Sequence, residues 1–271
     1  MPPEELQALG PWLLPPDLDA LHDEVIEFAV TFHTKADIQH AQHRHGPLSY
    51  KALQRMHRTA IATHRSVKSL CVAGWTPTTP TLLRTMLDLL VSIVALAEKL
   101  PDAEFMGFRF MAHGLIEGIV DPDSQPSHKA ANALQMDVLK SFLLPIDLVR
   151  ANATIASYQK KVPPFWYWPE ISSPGNAIRD KMPRLLDLWK AFCGSTHGSD
   201  IGAVIFADDP DNLGINPEEN PFKTRIATVT SSRLLLDISH ARAQFEGVAD
   251  EAEYKRIVGD FIKPQEAKTK K

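Results

Sequence analysis

Apolar residues recur at three- and four-residue steps along most of this chain. Between Asp17 and His43 the recurring apolar positions are Leu18, Leu21, Val25, Phe28, Ala29, Phe32 and Ala36. This period places them on one face of an α-helix. The same pattern predicts further helices over residues 49–73, 80–100, 102–120, 127–161, 173–192, 222–247 and 251–261. Pro145 is expected to kink the helix over 127–161, and Pro183 to kink or restart the helix over 173–192.

Residues 82–100 form the most apolar stretch and predict a core helix. Thr79 can accept a hydrogen bond from the first free amides of this helix, and Pro80 suits its first helical position. Arg84 and Asp88 interrupt the apolar run, whereas a bilayer requires roughly 20 continuous apolar residues. We therefore expect a helix that lies in the core of the protein, and no association with a membrane.

Segments that alternate between apolar and polar residues are rare. Residues 201–206 could form a strand, but no second run is evident to pair with them. The chain is therefore predicted to be all-α, a multi-helix bundle built on an antiparallel helical hairpin. The expected packing places the hairpin of helices 17–43 and 49–73 against the helices over 80–100, 102–120 and 173–192. Irregular loops are expected near 162–175 and 207–221, within a single domain over 1–263 that precedes a disordered basic tail over 264–271.

Composition narrows the classes of function. The chain has 271 residues, of which 44% are hydrophobic and 23% charged, as in an ordinary globular protein. Its formal net charge of −4 excludes a strongly basic surface overall, although an average can conceal a local basic patch. Two cysteines allow at most one disulfide, and the N-terminus has no apolar signal core. A cytoplasmic location is therefore expected.

Six of the eleven histidines lie between residues 33 and 64. His33, Asp37 and His40 are spaced to share one helical face, and His64 on the next helix could face them. Neutral imidazole and carboxylate are typical ligands of zinc and iron, so these four residues predict a metal site. The competing interpretation is structural. Histidines near a helix terminus meet exposed carbonyls, and no Glu-x-x-His motif occurs where a di-iron bundle would need one.

Two arginine–histidine pairs have the spacing of RNA-cleaving helical domains of the HEPN type, in which arginine stabilises charge and histidine moves protons. Arg58 precedes His64 by six residues, and Arg233 precedes His240 by seven. Chance alone gives about 1.6 such matches in a chain of this composition, so their number carries no weight. Only the seven-residue step returns both side chains to one helical face.

Arg84 and Asp88 lie one turn apart within the most apolar helix. Because leucines surround the pair, at least one of the two charges is expected to be partly buried. A structural clamp and a functional site both explain such a pair. A second polar cluster runs from Cys193 to Asp200, where small residues let the chain turn tightly around His197. Cys193 and His197 could form a nucleophilic pair, although a buried cysteine at a helix end is commoner.

An ordered set of motifs runs through residues 49–199. Gly74 ends one helix, Leu82-Leu83-Arg84 and Asp88 lie in the next, Trp168 lies in a later loop, and Trp189-Lys190 precede His197-Gly198-Ser199. In this order the motifs resemble a bacterial family of helical proteins known as domain of unknown function 5677, some of whose members look HEPN-like. Asp88 and Cys193 differ from the glutamate and serine that the family usually has. The resemblance implies an all-helical fold in which Arg84, Asp88 and His197 lie close together.

These observations leave three hypotheses for function. In the first, the protein is a cytoplasmic bacterial protein that binds or cleaves RNA or a nucleotide, in stress or phage defence. Arg84, Asp88 and His197 then act on a phosphate, while Trp168 and Ser199 contact the substrate. In the second, it is a non-enzymatic interaction or scaffold protein, and a homodimer is one expected form. In the third, it is a metal-dependent enzyme. No motif in the sequence identifies a cofactor.

Overall fold

The computed structural model describes residues 14–40, 47–73, 79–97, 102–167, 173–196 and 221–269. The helices are α1 (Pro16–His40), α2 (Pro47–Val72), α3 (Thr79–Ala97), α4 (Ala103–Val120), α5 (Pro126–Lys140), α6 (Pro145–Lys160), α7 (Pro174–Lys181), α8 (Leu186–Thr196), α9 (Pro221–Glu246), α10 (Glu251–Ile257) and α11 (Lys263–Lys268). A 3-10 turn, Pro183–Leu185, lies between α7 and α8, and a π-helical turn, Val258–Ile262, joins α10 to α11. The described ranges contain no strand, so the all-α prediction is confirmed.

Prolines set many of the helix boundaries. Six of the described α-helices begin at a proline, which lacks the N–H that a first turn would leave unpaired. Pro145 starts α6, so the predicted kinked helix over 127–161 is two helices joined by a turn at residues 141–144. Pro183 begins the 3-10 turn that follows α7, so the predicted helix over 173–192 stops and restarts there. This is one of the two outcomes that the sequence predicted.

The larger hydrophobic core surrounds α9, which packs against α1, α2 and α3. The predicted packing left α9 out and is wrong in that respect, because α1 contacts α9 more extensively than it contacts α2. Leu234, Leu235, Leu236 and Ile238 are fully buried on consecutive sides of α9. Its buried positions also include polar side chains, Ser231, Ser232 and Ser239, so the apolar periodicity gave no sign of its central position.

A smaller hydrophobic core lies between α4, α5, α6 and the start of α2. Glu104 on α4 accepts hydrogen bonds from the backbone amides of Leu48 and Ser49, at 3.0 and 2.9 Å. The carboxylate thus satisfies two of the free amides at the start of α2. Gly107 permits this close approach, since a Cβ at that position would lie 2.5 Å from the backbone nitrogen of Ser49.

The C-terminal segment is ordered further than the sequence predicted. The chain is helical through Lys268, and Gln265 is buried. Asp17 on α1 accepts from Lys268 at 2.7 Å and from Arg225 at 3.0 Å. A disordered tail beginning at residue 264 is therefore a wrong expectation for the residues up to Lys268. These residues close the end of the larger core.

Helix α3 is long and apolar enough to cross a membrane by length and composition. About 56% of its apolar window is buried inside the protein, which core helices of this composition also show. It packs against α2, α8 and α9. The absence of membrane association stays a prediction.

Candidate functional site

The guanidinium of Arg84 on α3 is surrounded by three side chains. Its Nε donates to Oδ2 of Asp88 at 3.0 Å, and its Nη1 donates to Sγ of Cys193 on α8 at 2.7 Å. The same group lies over the ring of Trp189, 4.4 Å from the centroid. Gly175 on α7 makes room for this ring, since a Cβ there would lie 2.7 Å from it. Arg84 therefore links α3 to α8, in keeping with a structural clamp.

The pKa shifts around Arg84 do not favour covalent catalysis by Cys193. Burial raises the pKa of the Cys193 thiol, although the charge of Arg84 opposes the rise. A nucleophilic cysteine requires a lowered pKa. Burial also raises the pKa of Asp88, again opposed by Arg84, and Oδ1 of Asp88 has no hydrogen-bond partner among the described residues.

Three of the predicted site residues lie outside the described ranges: His197, Trp168 and Ser199. Arg84 and Asp88 are in contact, as predicted from their spacing. Helix α8 ends at Thr196, one residue before His197, and the contact with Cys193 brings the last turn of α8 to Arg84. The meeting of Arg84, Asp88 and His197 stays a prediction.

Replacing Arg84 with alanine is expected to lower the free energy of unfolding by about 2 kcal/mol. The change leaves the partly buried carboxylate of Asp88 without its counter-charge and removes the contact with Trp189. Urea denaturation followed by tryptophan fluorescence measures the loss. Lys190→Ala, an exposed change on the same helix as Trp189, is the control and is expected to cost less than about 0.5 kcal/mol. Equal losses in the two variants would contradict the clamp.

The structure brings together only part of the predicted metal set. Nε2 of His33 lies 3.7 Å from Oδ2 of Asp37, and Nδ1 of His57 lies 3.2 Å from Nδ1 of His33. Between the two imidazoles, however, Nη1 of Arg242 contacts Nδ1 of His33 at 2.7 Å and Nδ1 of His57 at 3.1 Å. Arg58 donates to the free lone pair of His33 and Arg242 to that of His57, so neither is open to a metal ion, and the charges of the two arginines repel a cation.

His64 lies apart from this cluster, so the described contacts do not bring it together with His33 and Asp37, and the predicted metal set that includes His40 stays a prediction. The His64 ring stacks on His22 with centroids 4.4 Å apart, and its Nδ1 lies 3.0 Å from Oγ of Ser231 on α9. The side chain of His40 lies outside the described part of the structure. Within the described part of the chain, no three His, Cys, Asp or Glu residues are arranged to hold a metal ion. The reason is distance along α2: His57 and His64 lie seven residues, about two helical turns, apart, so His57 contacts His33 whereas His64 contacts His22.

The two arginine–histidine pairs differ in geometry as their spacing predicted. Nε of Arg58 donates to Nε2 of His33 at 3.1 Å, whereas His64 is fully buried against α9. Arg58 and His64 therefore do not share a site. Arg233 and His240, in contrast, both line one open cleft of about 770 Å³.

This cleft, which we call the Arg233 cleft, is bounded by α9, the 3-10 turn, α10 and the residues around α11. Four basic side chains and two acidic ones line it: Lys181, Arg184, Arg233 and Lys263, with Asp237 and Glu266. The apolar part of the wall comes from Leu90, Met182, Leu185 and Ala241. The lining is thus locally basic in a chain whose net charge is −4.

Arg233 is held in a fixed orientation at the wall of the cleft. Its Nε lies 3.1 and 3.0 Å from the two carboxylate oxygens of Asp237, and its Nη2 donates to the Tyr254 hydroxyl at 3.3 Å. That hydroxyl donates to Asp237 at 2.7 Å. Burial alone would lower the pKa of Arg233, but the carboxylate of Asp237 outweighs it and the pKa is raised. Nη1 has no hydrogen-bond partner among the residues that the structure describes.

His240 lies beside Arg233 on the same wall. Its ring stacks on Tyr254 with centroids 4.1 Å apart, and its Nε2 lies 3.0 Å from Oε1 of Glu251. Burial, reinforced by Asp237, raises the pKa of Tyr254, so the phenol stays protonated. The carboxylate of Glu251 fixes the orientation of the imidazole. The cleft therefore combines a guanidinium, a phenol and an imidazole, which can contact an anion and exchange a proton.

Sequence reasoning found Arg233 and His240 but missed the other residues of the cleft. Asp237 follows Arg233 by one helical turn, the same signal that identified Arg84 and Asp88. Tyr254 and Lys181 lie on other helices, and no spacing connects them to Arg233.

Comparisons with known proteins assign no family: no family model, no curated protein and no solved structure matches this chain. The resemblance to domain of unknown function 5677 therefore rests on its motifs alone and stays a prediction.

Proposed function

We propose that this protein binds a phosphate group of RNA or of a nucleotide in the Arg233 cleft. The observation that carries the proposal is the convergence of Lys181, Arg184, Arg233 and Lys263 on one open cleft, in a chain that is acidic overall. Guanidinium and ammonium groups are the usual protein ligands of phosphate. Arg233 is the anchor, because Asp237 and Tyr254 hold its planar group in place before any ligand arrives.

The size and lining of the cleft fit a nucleotide. A volume of about 770 Å³ falls in the range of small-molecule sites, and such sites combine apolar walls with a few fixed polar groups. Met182 and Ala241 offer apolar surface to a base, while Tyr254 and His240 offer hydrogen bonds. His240 is also the group of the cleft that is suited to acid–base catalysis, so cleavage of a bound phosphodiester is the reaction that we propose for RNA.

Removing three basic side chains from the rim tests the proposal. In Lys181→Ala/Arg184→Ala/Lys263→Ala the altered side chains are exposed, so the fold should persist. We expect at least tenfold weaker binding of a fluorescent single-stranded RNA or of a fluorescent ATP analogue, measured by anisotropy. The slope of log affinity against log salt should fall by about 2 for RNA. The two probes distinguish a nucleotide site from an RNA site.

A charge-matched variant controls for the change in net charge. Lys35→Ala/Lys51→Ala/Arg55→Ala removes three exposed basic groups from α1 and α2, away from the cleft, and should leave binding within about twofold. Wild-type protein that binds neither probe, or equal losses in both triple variants, would rule the site out. For cleavage, His240→Gln should stop RNA hydrolysis on a gel while binding persists. Hydrolysis that survives this change would exclude His240 as the acid–base group.

The second candidate is a non-enzymatic scaffold. The observation that favours it is the Arg84 cluster, where Asp88, Cys193 and Trp189 already occupy the guanidinium. On this alternative the polar groups fix the positions of helices, and substitutions at Arg84 change stability only.

A further inference from the structure

A second, smaller cavity adjoins the Arg233 cleft. It has a volume of about 150 Å³ and lies between α8, α9 and α11. Five aliphatic side chains form most of its wall: Leu185, Leu188, Ile226, Val229 and Leu234. We call it the Leu188 cavity. Its lining differs from that of the Arg233 cleft, where four basic side chains meet.

The cleft and the cavity share part of their walls. Leu185, Arg233 and Glu266 line both of them. On the C-terminal segment, Lys263 lines only the cleft and Thr269 lines only the cavity, so Glu266 lies between the two. The shared residues come from three separate elements, which places the cleft and the cavity side by side.

One face of α9 runs from the cavity into the cleft. Residues 226, 230, 233, 237 and 240 follow one another at three- and four-residue steps and therefore share this face. Ile226 and Thr230 line the cavity, whereas Asp237 and His240 line the cleft. At a rise of 1.5 Å per residue, the cavity lies roughly 5 to 10 Å along the helix from Arg233. The cleft and the cavity are thus two parts of one groove, with Arg233 at their junction.

The volume of the cavity limits what can enter it. An engineered aliphatic cavity of about 150 Å³ in another protein holds one benzene molecule. The Leu188 cavity has the same volume, about 150 Å³, and a similar aliphatic wall. It therefore has room for one six-membered ring, but not for the two fused rings of a purine.

Two polar side chains, Thr230 and Glu266, stand among the aliphatic ones. Burial lowers the pKa of Arg233, whereas the charges of Asp237 and, more weakly, Glu266 raise it, so the Glu266 carboxylate lies near the guanidinium. The Thr230 hydroxyl can donate or accept a hydrogen bond. A carboxylate accepts from an exocyclic amino group such as that of cytosine. The cavity thus offers apolar walls to the faces of a ring and hydrogen-bonding groups to its edge.

We propose that the Leu188 cavity holds the base of a pyrimidine nucleotide whose phosphate is bound by Arg233. The inference rests on the proposed phosphate site and adds the class of base that this site selects. The ribose separates the phosphate of a nucleotide from its base, as the length of the groove between Arg233 and the cavity requires. A purine nucleotide keeps the phosphate contacts but leaves its base in the open cleft, and it therefore binds more weakly.

Isothermal titration calorimetry of the full-length chain with cytidine monophosphate and with adenosine monophosphate tests the proposal. We expect wild-type protein to bind the cytidine nucleotide about tenfold more tightly, because only its base enters the cavity. Leu188→Phe places a ring in the cavity and should lower the affinity for the cytidine nucleotide to that for the adenosine nucleotide. The control Leu186→Phe makes the same change on the same helix, at a residue that lines neither the cleft nor the cavity, and should keep the preference. Circular dichroism checks that both variants fold.

A variant with the opposite effect controls for loss of folding. Ile226→Ala enlarges the cavity, and this residue is partly exposed, so the fold should persist. We expect it to bind adenosine monophosphate at least about threefold more tightly than wild-type protein does. A gain in affinity cannot come from misfolded protein.

Two results would overturn the inference and leave the proposed phosphate site in place. One is equal affinity of wild-type protein for the two nucleotides, with both affinities reduced in Lys181→Ala/Arg184→Ala/Lys263→Ala. The other is a folded Leu188→Phe variant that keeps the preference for cytidine monophosphate. If wild-type protein binds neither nucleotide nor inorganic phosphate, the proposed function fails together with the inference.

Discussion

Replacing Arg242 with alanine is expected to lower the free energy of unfolding by about 3–5 kcal/mol, the usual result of removing one member of a buried charged network. Arg242 is the largest fully buried side chain in the described part of the chain. Its guanidinium contacts Nδ1 of both His33 and His57 and lies 3.4 Å from Oδ1 of Asp37. Its removal leaves His57 Nδ1 and the carboxylate of Asp37 without this donor and opens a cavity between α1, α2 and α9.

Equilibrium urea denaturation measures this loss, and two variants define its origin. Arg242→Met keeps most of the side-chain volume without the charge, and we expect it to recover part of the stability that alanine loses. Arg55→Ala removes an exposed arginine from α2 and should change the free energy of unfolding by less than about 0.5 kcal/mol. A loss below about 1 kcal/mol for Arg242→Ala would show that the network contributes little to stability.

Lowering the pH from 7 to 5 is expected to reduce the free energy of unfolding, by at most about 4 kcal/mol for two imidazoles that stay neutral in the folded protein. Burial lowers the pKa of His57 and of His64 well below the ordinary value of 6.5. In the unfolded chain both take up a proton near pH 6.5, whereas in the folded protein they stay neutral. Stability therefore falls as the pH drops below about 6.5, by roughly 1.4 kcal/mol per pH unit for each histidine. Above pH 7 the two residues contribute no pH dependence.

Neighbouring charges lower the pKa of His57 and of His64 further. After burial, the charge of Arg242 and then His33 lower the pKa of His57. His22, Lys68 and Arg65 act in the same way on His64. Carboxylates change the free energy of unfolding over a lower pH range than the histidines do. The pKa of Asp17 is lowered to about 2, because Lys268 and Arg225 outweigh the effect of burial, so its contribution is lost only as the pH falls from about 4 towards 2.

Urea denaturation at pH 7, 6 and 5 tests the histidine prediction. His64→Gln should remove about 1.4 kcal/mol per pH unit from the slope, whatever its stability at pH 7. The control His128→Gln changes an exposed histidine of α5 and should leave the slope unaltered. Equal wild-type stability at pH 7 and pH 5 would mean that the buried imidazoles are protonated at little cost.

The helices could be predicted because their signals are local. Proline begins six of the described α-helices, and apolar periodicity identified all the long ones. Pro145 was expected to kink a helix, but the turn at 141–144 separates two helices, a distinction that depends on their packing against α4. The central position of α9 could not be predicted, since its buried serines resemble an exposed polar face. Ser231 and Ser239 in fact contact buried histidines.

In the candidate sites, too, contacts between residues close in the sequence could be predicted, whereas contacts between distant residues could not. The contacts of Arg84 with Asp88 and of His33 with Asp37 could be predicted from their four-residue spacing alone. Arg242, however, is 209 residues from His33, and its contacts with His33 and His57 make this cluster a hydrogen-bonded network. No rule based on short-range spacing connects residues so far apart. The contact of Arg84 with the last turn of α8 was implied only by the family resemblance.

The carboxylate of Glu104 couples the unfolding of the smaller core to that of the larger core. It belongs to α4, in the smaller core, yet it satisfies the first amides of α2, a helix whose other residues lie in the larger core. Separation of α4–α6 from the rest would strip those amides of their acceptor and loosen the beginning of α2. The two halves of the molecule are thereby coupled, and partial melting of one side should propagate to the other as a single cooperative event.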